Sequence, residues 1–321
     1  MNVTVTNGTQ PSYLTVYPGG TTRPGASSLN WVRGQTVPNL VEVKLGGDGA
    51  VDFYNAAGSV DVVADVEGWI TAPGTPTGVE GLFNPLEPRR VLDTRDGVGA
   101  AHHQVTAGQT ITVLVTDPSA NASAAVLNLT ATNPTTAGYL TVWPHGAAKP
   151  TVSNLNFKAG QTVANRVQVG VSSDGKVDIF NPSGSVDVVA DLNGWFTRTA
   201  ATIDQSLLTS QAPTRILDTR KSGGRLGPGG VLPVSVAGAG GVPVAAKAVV
   251  ANITVTDTTA PSYLTAYPSG SALPSASDLN WIGGQTVPNL SVVKLGSDGK
   301  VDFYNAAGLT DIVIDVVGWY R

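Results

Sequence analysis

The chain has 321 residues, 13% of them charged, with 38 glycines, 21 prolines and no cysteine, and its formal net charge is −4. That balance, with Lys and Arg scattered rather than clustered, excludes a nucleic-acid partner, since phosphate binding needs a basic patch. The missing cysteine excludes disulfides, zinc–thiolate sites and thiol nucleophiles. No apolar run of about 18 residues is present, so no membrane insertion is expected.

A block of about 70 residues of β-type sequence occurs three times, as tandem copies of one folding unit rather than a short-period solenoid. Copy one runs from Asn2 to Trp69 and has Asp48-Gly49 between two alternating runs, the signature of a hairpin with a primed turn. Residues 72–84, rich in proline and glycine, read as a stiffened linker. An arm follows, Arg90-Val-Leu-Asp-Thr-Arg95, then a Gly-rich loop and a strand at 109–115. In copy two, alternation of apolar and polar residues predicts strands at 125–132, 138–144, 153–158, 162–171, 176–181 and 185–192. Asp174-Gly175 and Asn181-Pro-Ser-Gly184 supply its hairpin turns. Residues 199–210 read as a second linker. A second arm, Arg215-Ile-Leu-Asp-Thr-Arg220, and a strand at 231–236 precede copy three, which runs from Asn252 to Trp319. No segment has apolar residues at helical spacing. The expected fold is therefore all-β, with tandem β-sandwich-like units: a partial unit at 1–72 lacking its arm, and complete units at 85–198 and 211–321. An alternative closes the three blocks about a pseudo-threefold axis, which predicts close packing between blocks rather than beads on linkers.

Taken together, Arg215 to Arg220, Asn252 to Thr254, Tyr263 to Pro268, Gln285 to Asn289 and Asp315 to Tyr320 resemble a repeat of secreted, multidomain proteins of actinobacteria and some other soil bacteria. The resemblance covers nearly the whole chain. It implies a secreted, extracellular location and an accessory module beside catalytic domains. Copy one departs from it by having no Leu-Asp-Thr-Arg arm. Residues 1–25 carry no signal-peptide pattern.

In the closing strand of copy two, period-2 alternation places Asp187, Val189, Asp191, Asn193 and Trp195 on one face. Such carboxylates near an aromatic could hold a sugar or calcium, but a partly buried carboxylate needs a partner, and the fork-shaped arginine of the arm can supply it. The expected ion pairs are Arg95 with Asp191 and Arg220 with Asp315. Asp65 of copy one then has no arginine of its own, so either it is solvated, or a protein partner or an upstream segment supplies the missing strand and arginine by strand addition.

Six aromatics flank the Leu-Thr strands near loops of small residues: Tyr13, Tyr17, Tyr139, Trp143, Tyr263 and Tyr267. These are the candidate ligand groove, because flat rings stack on sugar faces. Trp31 and Trp281, alternating with leucine, suit a core instead. His102, His103 and His145 recur in no other copy, and no Gly-x-Ser-x-Gly, His-Glu-x-x-His or P-loop occurs, so no enzyme is expected. The Asp-Gly turns offer too few oxygens for calcium, so no metal or cofactor is expected. Asn2, Asn128 and Asn252 match the glycosylation triplet but lie within predicted strands and read as ladder residues. The functional expectation is a noncatalytic module binding carbohydrate or cell-wall glycan through repeated shallow sites. The alternative is a structural or adhesive subunit whose incomplete first unit is completed by a partner.

Overall fold

The computed structural model describes residues 1–69, 81–198 and 207–321. It is all-β, built of six small antiparallel sheets, with a 3-10 turn at Pro118–Ala120 as the one helical element among the described residues. Each copy contributes two sheets. In copy two the first runs Val163–Gly170, Ala122–Thr132, Ser185–Thr197, Phe83–Asp93, with the short strand Val105–Thr106 alongside. The second runs Leu155–Phe157, Gly138–Pro144, Lys176–Asn181, Gln109–Leu114. Copy three repeats both four-strand orders, with Leu208–Asp218 and Val231–Ser235 at the corresponding edges.

The sequence pattern explains the strands. Leu127, Leu129 and Ala131 alternate inward from the first sheet of copy two, and Leu140, Val142, Val177 and Ile179 come from the second, so one core draws on both sheets. Each fully buried aliphatic side chain contributes about 1.5–3 kcal/mol. Copy three builds the same core around Ile253, Leu264, Trp281, Phe303 and Ile314. Trp31 and Trp281 are buried in their cores, as their alternation with leucine implies. Asn2, Asn128 and Asn252 are buried within strands, which removes them as glycan acceptors in the folded chain.

The arm strand Phe83–Asp93 includes Phe83 and Asn84, which the sequence places in a linker, and Leu208–Asp218 likewise takes in 208–210. The remaining linker residues 72–80 and 199–206 lie outside the described residues.

The chain divides into two compact units, Met1–Ala64 with Leu208–Leu273 and Ser277–Arg321, and Asp65–Leu207 with Pro274–Ala276. Within the first, copies one and three pack directly on each other. Asn39 Nδ2 donates to Asn252 Oδ1 at 2.9 Å and to the Ser28 carbonyl at 2.7 Å, and Asn39 Oδ1 accepts the Leu290 amide at 3.0 Å. Asn252 Nδ2 returns a bond to the Ser27 carbonyl at 2.7 Å. The amides of two buried asparagines thus join one copy to the other, as buried polar groups require.

Copy one has the same two sheets with one strand fewer in each: Val37–Leu40, Asn2–Thr6, Asp61–Asp65, and Leu29–Trp31, Ser12–Pro18, Val51–Asn55. Among the described residues nothing pairs with the outer edge of Asp61–Asp65 or of Val51–Asn55.

Candidate functional site

Two features repeat in register: the junction of arm and closing strand, and the outer face of the second sheet. At the junction, Asp191 stands across the ladder from Arg90, and Asp315 from Arg215. Arg90 donates through Nε to Asp191 Oδ1 at 2.9 Å and through Nη2 to Oδ2 at 3.2 Å. Arg215 does the same to Asp315 at 2.8 and 2.9 Å. The expected pairs Arg95–Asp191 and Arg220–Asp315 are therefore corrected: the first arginine of the arm, not the last, meets the closing strand. Register is the reason, because the last arginine lies beyond the end of the arm strand. There it folds back, and Arg95 grips Asp93 at 2.9 and 2.7 Å while Arg220 grips Asp218 at 2.8 and 2.7 Å.

The result is a ladder of alternating charge. Arg90 also reaches Asp93, at 2.9 Å. Burial pushes the Asp93 carboxyl up, but the Arg95 hydrogen bonds and the charges of Arg95 and Arg90 outweigh it and hold the group below the usual carboxylate range. Asp218 is held low chiefly by the Arg220 side chain. Asp315 goes the other way, because burial raises it more than Arg215 lowers it. The arm's threonine completes the lock: Thr94 Oγ1 donates to Asp187 Oδ1 at 3.1 Å and accepts the Val188 amide at 3.0 Å, and Thr219 repeats this with Asp311 and Ile312, both at 2.8 Å. The arm's first arginine and its threonine thus hold the arm to the closing strand, while its aspartate and last arginine pair with each other within the arm.

On the second sheet, cross-strand partners share a face. Tyr13 is opposite Asn30, Thr15 opposite Tyr54, and Tyr17 opposite Asp52, while Leu14 and Val16 point to the core. The outer face of each copy therefore carries Tyr13, Tyr17, Tyr54 and Asp52; Tyr139, Trp143, Phe180 and Asp178; or Tyr263, Tyr267, Tyr304 and Asp302. Tyr13 and Tyr54 have ring centroids 6.3 Å apart, and Tyr263 and Tyr304 6.1 Å, both tilted.

The six candidate aromatics divide by exposure. Tyr13 and Tyr263 are exposed, at 37% and 38%, and Tyr17 and Tyr139 are half-buried. Trp143 and Tyr267 are buried, at 6% and 5%, and cannot offer a ring face. The loop of small residues is what covers this side of the sheet. Thr141 Oγ1 donates to the Val152 carbonyl at 2.7 Å, and the Trp143 indole N–H donates to the Ala147 carbonyl at 3.1 Å. Burial also raises the Tyr267 hydroxyl, helped by the nearby Asp302 charge.

The loops carry a difference between copies. Arg23 lies over the Tyr54 ring at 3.8 Å and Lys149 over the Phe180 ring at 4.5 Å, a cation–π cap in each case. Leu273 stands at the matching position of copy three. These cations and the partner rings Tyr54, Phe180 and Tyr304 escaped the sequence reading. Their signal was available, since each ring sits two residues beyond the aspartate opposite the second aromatic.

His145 Nδ1 and Thr112 Oγ1 both meet Asp178 Oδ1, at 2.8 and 2.7 Å. The hydroxyl donates to the carboxylate and not to the imidazole, so the three groups are joined through Asp178 Oδ1. Asp48 and Asp298 accept amides within their own turns. Among the described residues no three His, Asp or Glu side chains are placed to share a metal, and no helix is long and apolar enough to cross a membrane.

No family model and no curated protein matches the chain. Among solved structures, an IolB-like protein from Salmonella typhimurium LT2 aligns at 10% identity and TM-score 0.21, over 73% of this chain and 91% of that one. A protein of the triple jelly roll fold from an archaeal virus aligns at 11% and TM-score 0.21, over 99% and 78%.

Proposed function

We propose that this chain is a noncatalytic extracellular binding module for carbohydrate or cell-wall glycan, made of β-sandwich-like copies and related to the secreted actinobacterial repeat it resembles. The observation that carries the reading is the outward aromatic pair, present at the same register in all three copies beside an aspartate and an asparagine. Rings and hydrogen-bonding groups side by side suit the faces and hydroxyls of sugars. Copy three offers the most available pair, because among the described residues no loop cation lies over Tyr304. Weak shallow sites in tandem gain by multivalency.

The test is retention of the purified chain on insoluble chitin, cellulose and Gram-positive cell walls, with the triple variant Tyr13→Ala/Tyr139→Ala/Tyr263→Ala beside it. Retention by the parent chain and loss in a folded variant support the reading. No retention on any polymer refutes it.

A further inference from the structure

We propose that the open side of copy one is a docking site for a separate segment of the Arg-x-Leu-Asp-Thr-Arg type, followed by a second strand. Copies two and three define what the occupant must provide. There, an arm strand covers the closing strand and a second strand covers the hairpin, and the residues beneath are sealed. Val188 and Ile312 are both 0% exposed, whereas their counterpart Val62 is 39% exposed. Ile179 and Phe303 are 0% and 2% exposed, against 40% for Phe53, and Leu192 and Val316 are 0%, against 75% for Val66. The side chains are of the same apolar kind.

The polar groups tell the same story. Asp65 occupies the position of Asp191 and Asp315, which take an arginine fork, and Asp61 that of Asp187 and Asp311, which take the arm threonine. The Val188 and Ile312 carbonyls each accept the arm threonine's amide, at 3.1 and 3.0 Å. The turn glycines mark the second strand: a Cβ on Gly175 would lie 2.2 Å from the Thr116 carbonyl oxygen and one on Gly299 2.6 Å from Ala237 Cβ, but one on Gly49 would meet nothing within 4 Å. An exposed strand edge with apolar residues beside it normally acquires a partner or a guard. Here carboxylates at matching positions select the partner's chemistry: an extended segment with arginine across from Asp65, leucine two residues later for the core, and a following strand for the Val51–Asn55 edge.

The experiment adds a synthetic peptide of residues 81–116, which carries both covering strands, to the full chain. Binding is measured by calorimetry and located by hydrogen exchange. The expected result is saturable one-to-one binding with new protection at 51–55 and 61–65. Asp65→Asn in the chain, or Arg90→Ala in the peptide, should weaken it by about tenfold or more, the loss of a charge-assisted bidentate contact. Val62→Lys, at a position already exposed, should block it without unfolding the copy. Absence of saturable binding overturns the proposal. So does binding indifferent to Asp65, protection confined to copies two and three, or self-association of the chain through this edge without peptide, which would make a second copy the occupant.

Discussion

Removing Arg215 should cost far more than removing Arg220, although both are arginines of one six-residue motif and both grip a buried carboxylate. Asp315 is 1% exposed and takes both donors of the Arg215 fork at 2.8 and 2.9 Å. In Arg215→Ala the carboxylate keeps its burial and loses its cation, a change that costs about 3–5 kcal/mol. Arg220→Ala leaves Asp218 with the residue-220 amide at 3.3 Å and Arg215 at 3.6 Å, so the loss should be about 1–2 kcal/mol. The two variants should also differ in pH response. Burial already holds the Asp315 carboxyl above its ordinary 3.8, and without Arg215 it rises further. A carboxyl raised in the folded state weighs against folding at neutral pH and is relieved as pH falls toward the unfolded value. The Arg215→Ala deficit should therefore shrink on acidification. Urea unfolding of the full chain, with hydrogen exchange of 311–320 to isolate copy three, measures both. A deficit below about 1 kcal/mol for Arg215→Ala, or a larger one for Arg220→Ala, would refute the assignment of the first arginine as the closing strand's partner.

Glu67, half-buried, accepts the Asn154 amide at 2.8 Å, and burial pushes its carboxyl up to about 7 from 4.5, with the Asn154 and Gln168 hydrogen bonds opposing. Its folded form holds a proton that the unfolded chain releases, so its contribution is present below 4.5 and is lost as pH rises to about 7. Glu67→Gln should flatten that slope, worth on the order of 2 kcal/mol, in melting temperatures recorded from pH 4 to 8. Gly175→Ala should cost about 2 kcal/mol or more, and Gly49→Ala about 1, because both have positive φ but only Gly175 has a carbonyl 2.2 Å from the added carbon. Equal losses in thermal unfolding would contradict the difference between the copies. Asn252→Ala should destabilise by about 2 kcal/mol and raise amide exchange at 37–40 together with 287–294, since it removes a bond between two packed copies.

The strands were legible because their signals are local. The predicted 138–144 and 176–181 match Gly138–Pro144 and Lys176–Asn181, and 125–132 falls within Ala122–Thr132. Asp-Gly turns and period-2 alternation depend only on neighbours in sequence. Partners across the ladder were less legible. Assigning Arg95 rather than Arg90 to Asp191 required the register, which carries irregularities at Ala190/Asp191 and Leu192/Gly194 that the alternation does not record. Trp143 and Tyr267 were misplaced for a different reason: they do lie on the outer face, but a loop with little pattern of its own folds over that face and uses the indole N–H. The buried amide contact from Asn39 to Asn252 joins residues 213 apart in sequence, and no local pattern marks it.

Copy one shares its strands and core with the other two copies. Its strands form, its hairpin turn keeps the same positive φ at Gly49, and its inner residues Val3, Val5, Leu14 and Leu29 are buried as in the other copies. In copies two and three the arm closes the edge of the closing strand, pairing along Ser185–Thr197 and Asp311–Tyr320. A ladder of alternating charge suits that task better than an apolar seam would. It fixes one register, because a slip of one residue would turn Arg215 away from Asp315 and bury an unpaired carboxylate. The charges of the arm thus serve specificity of docking, the property an edge needs if a separate segment is to find it.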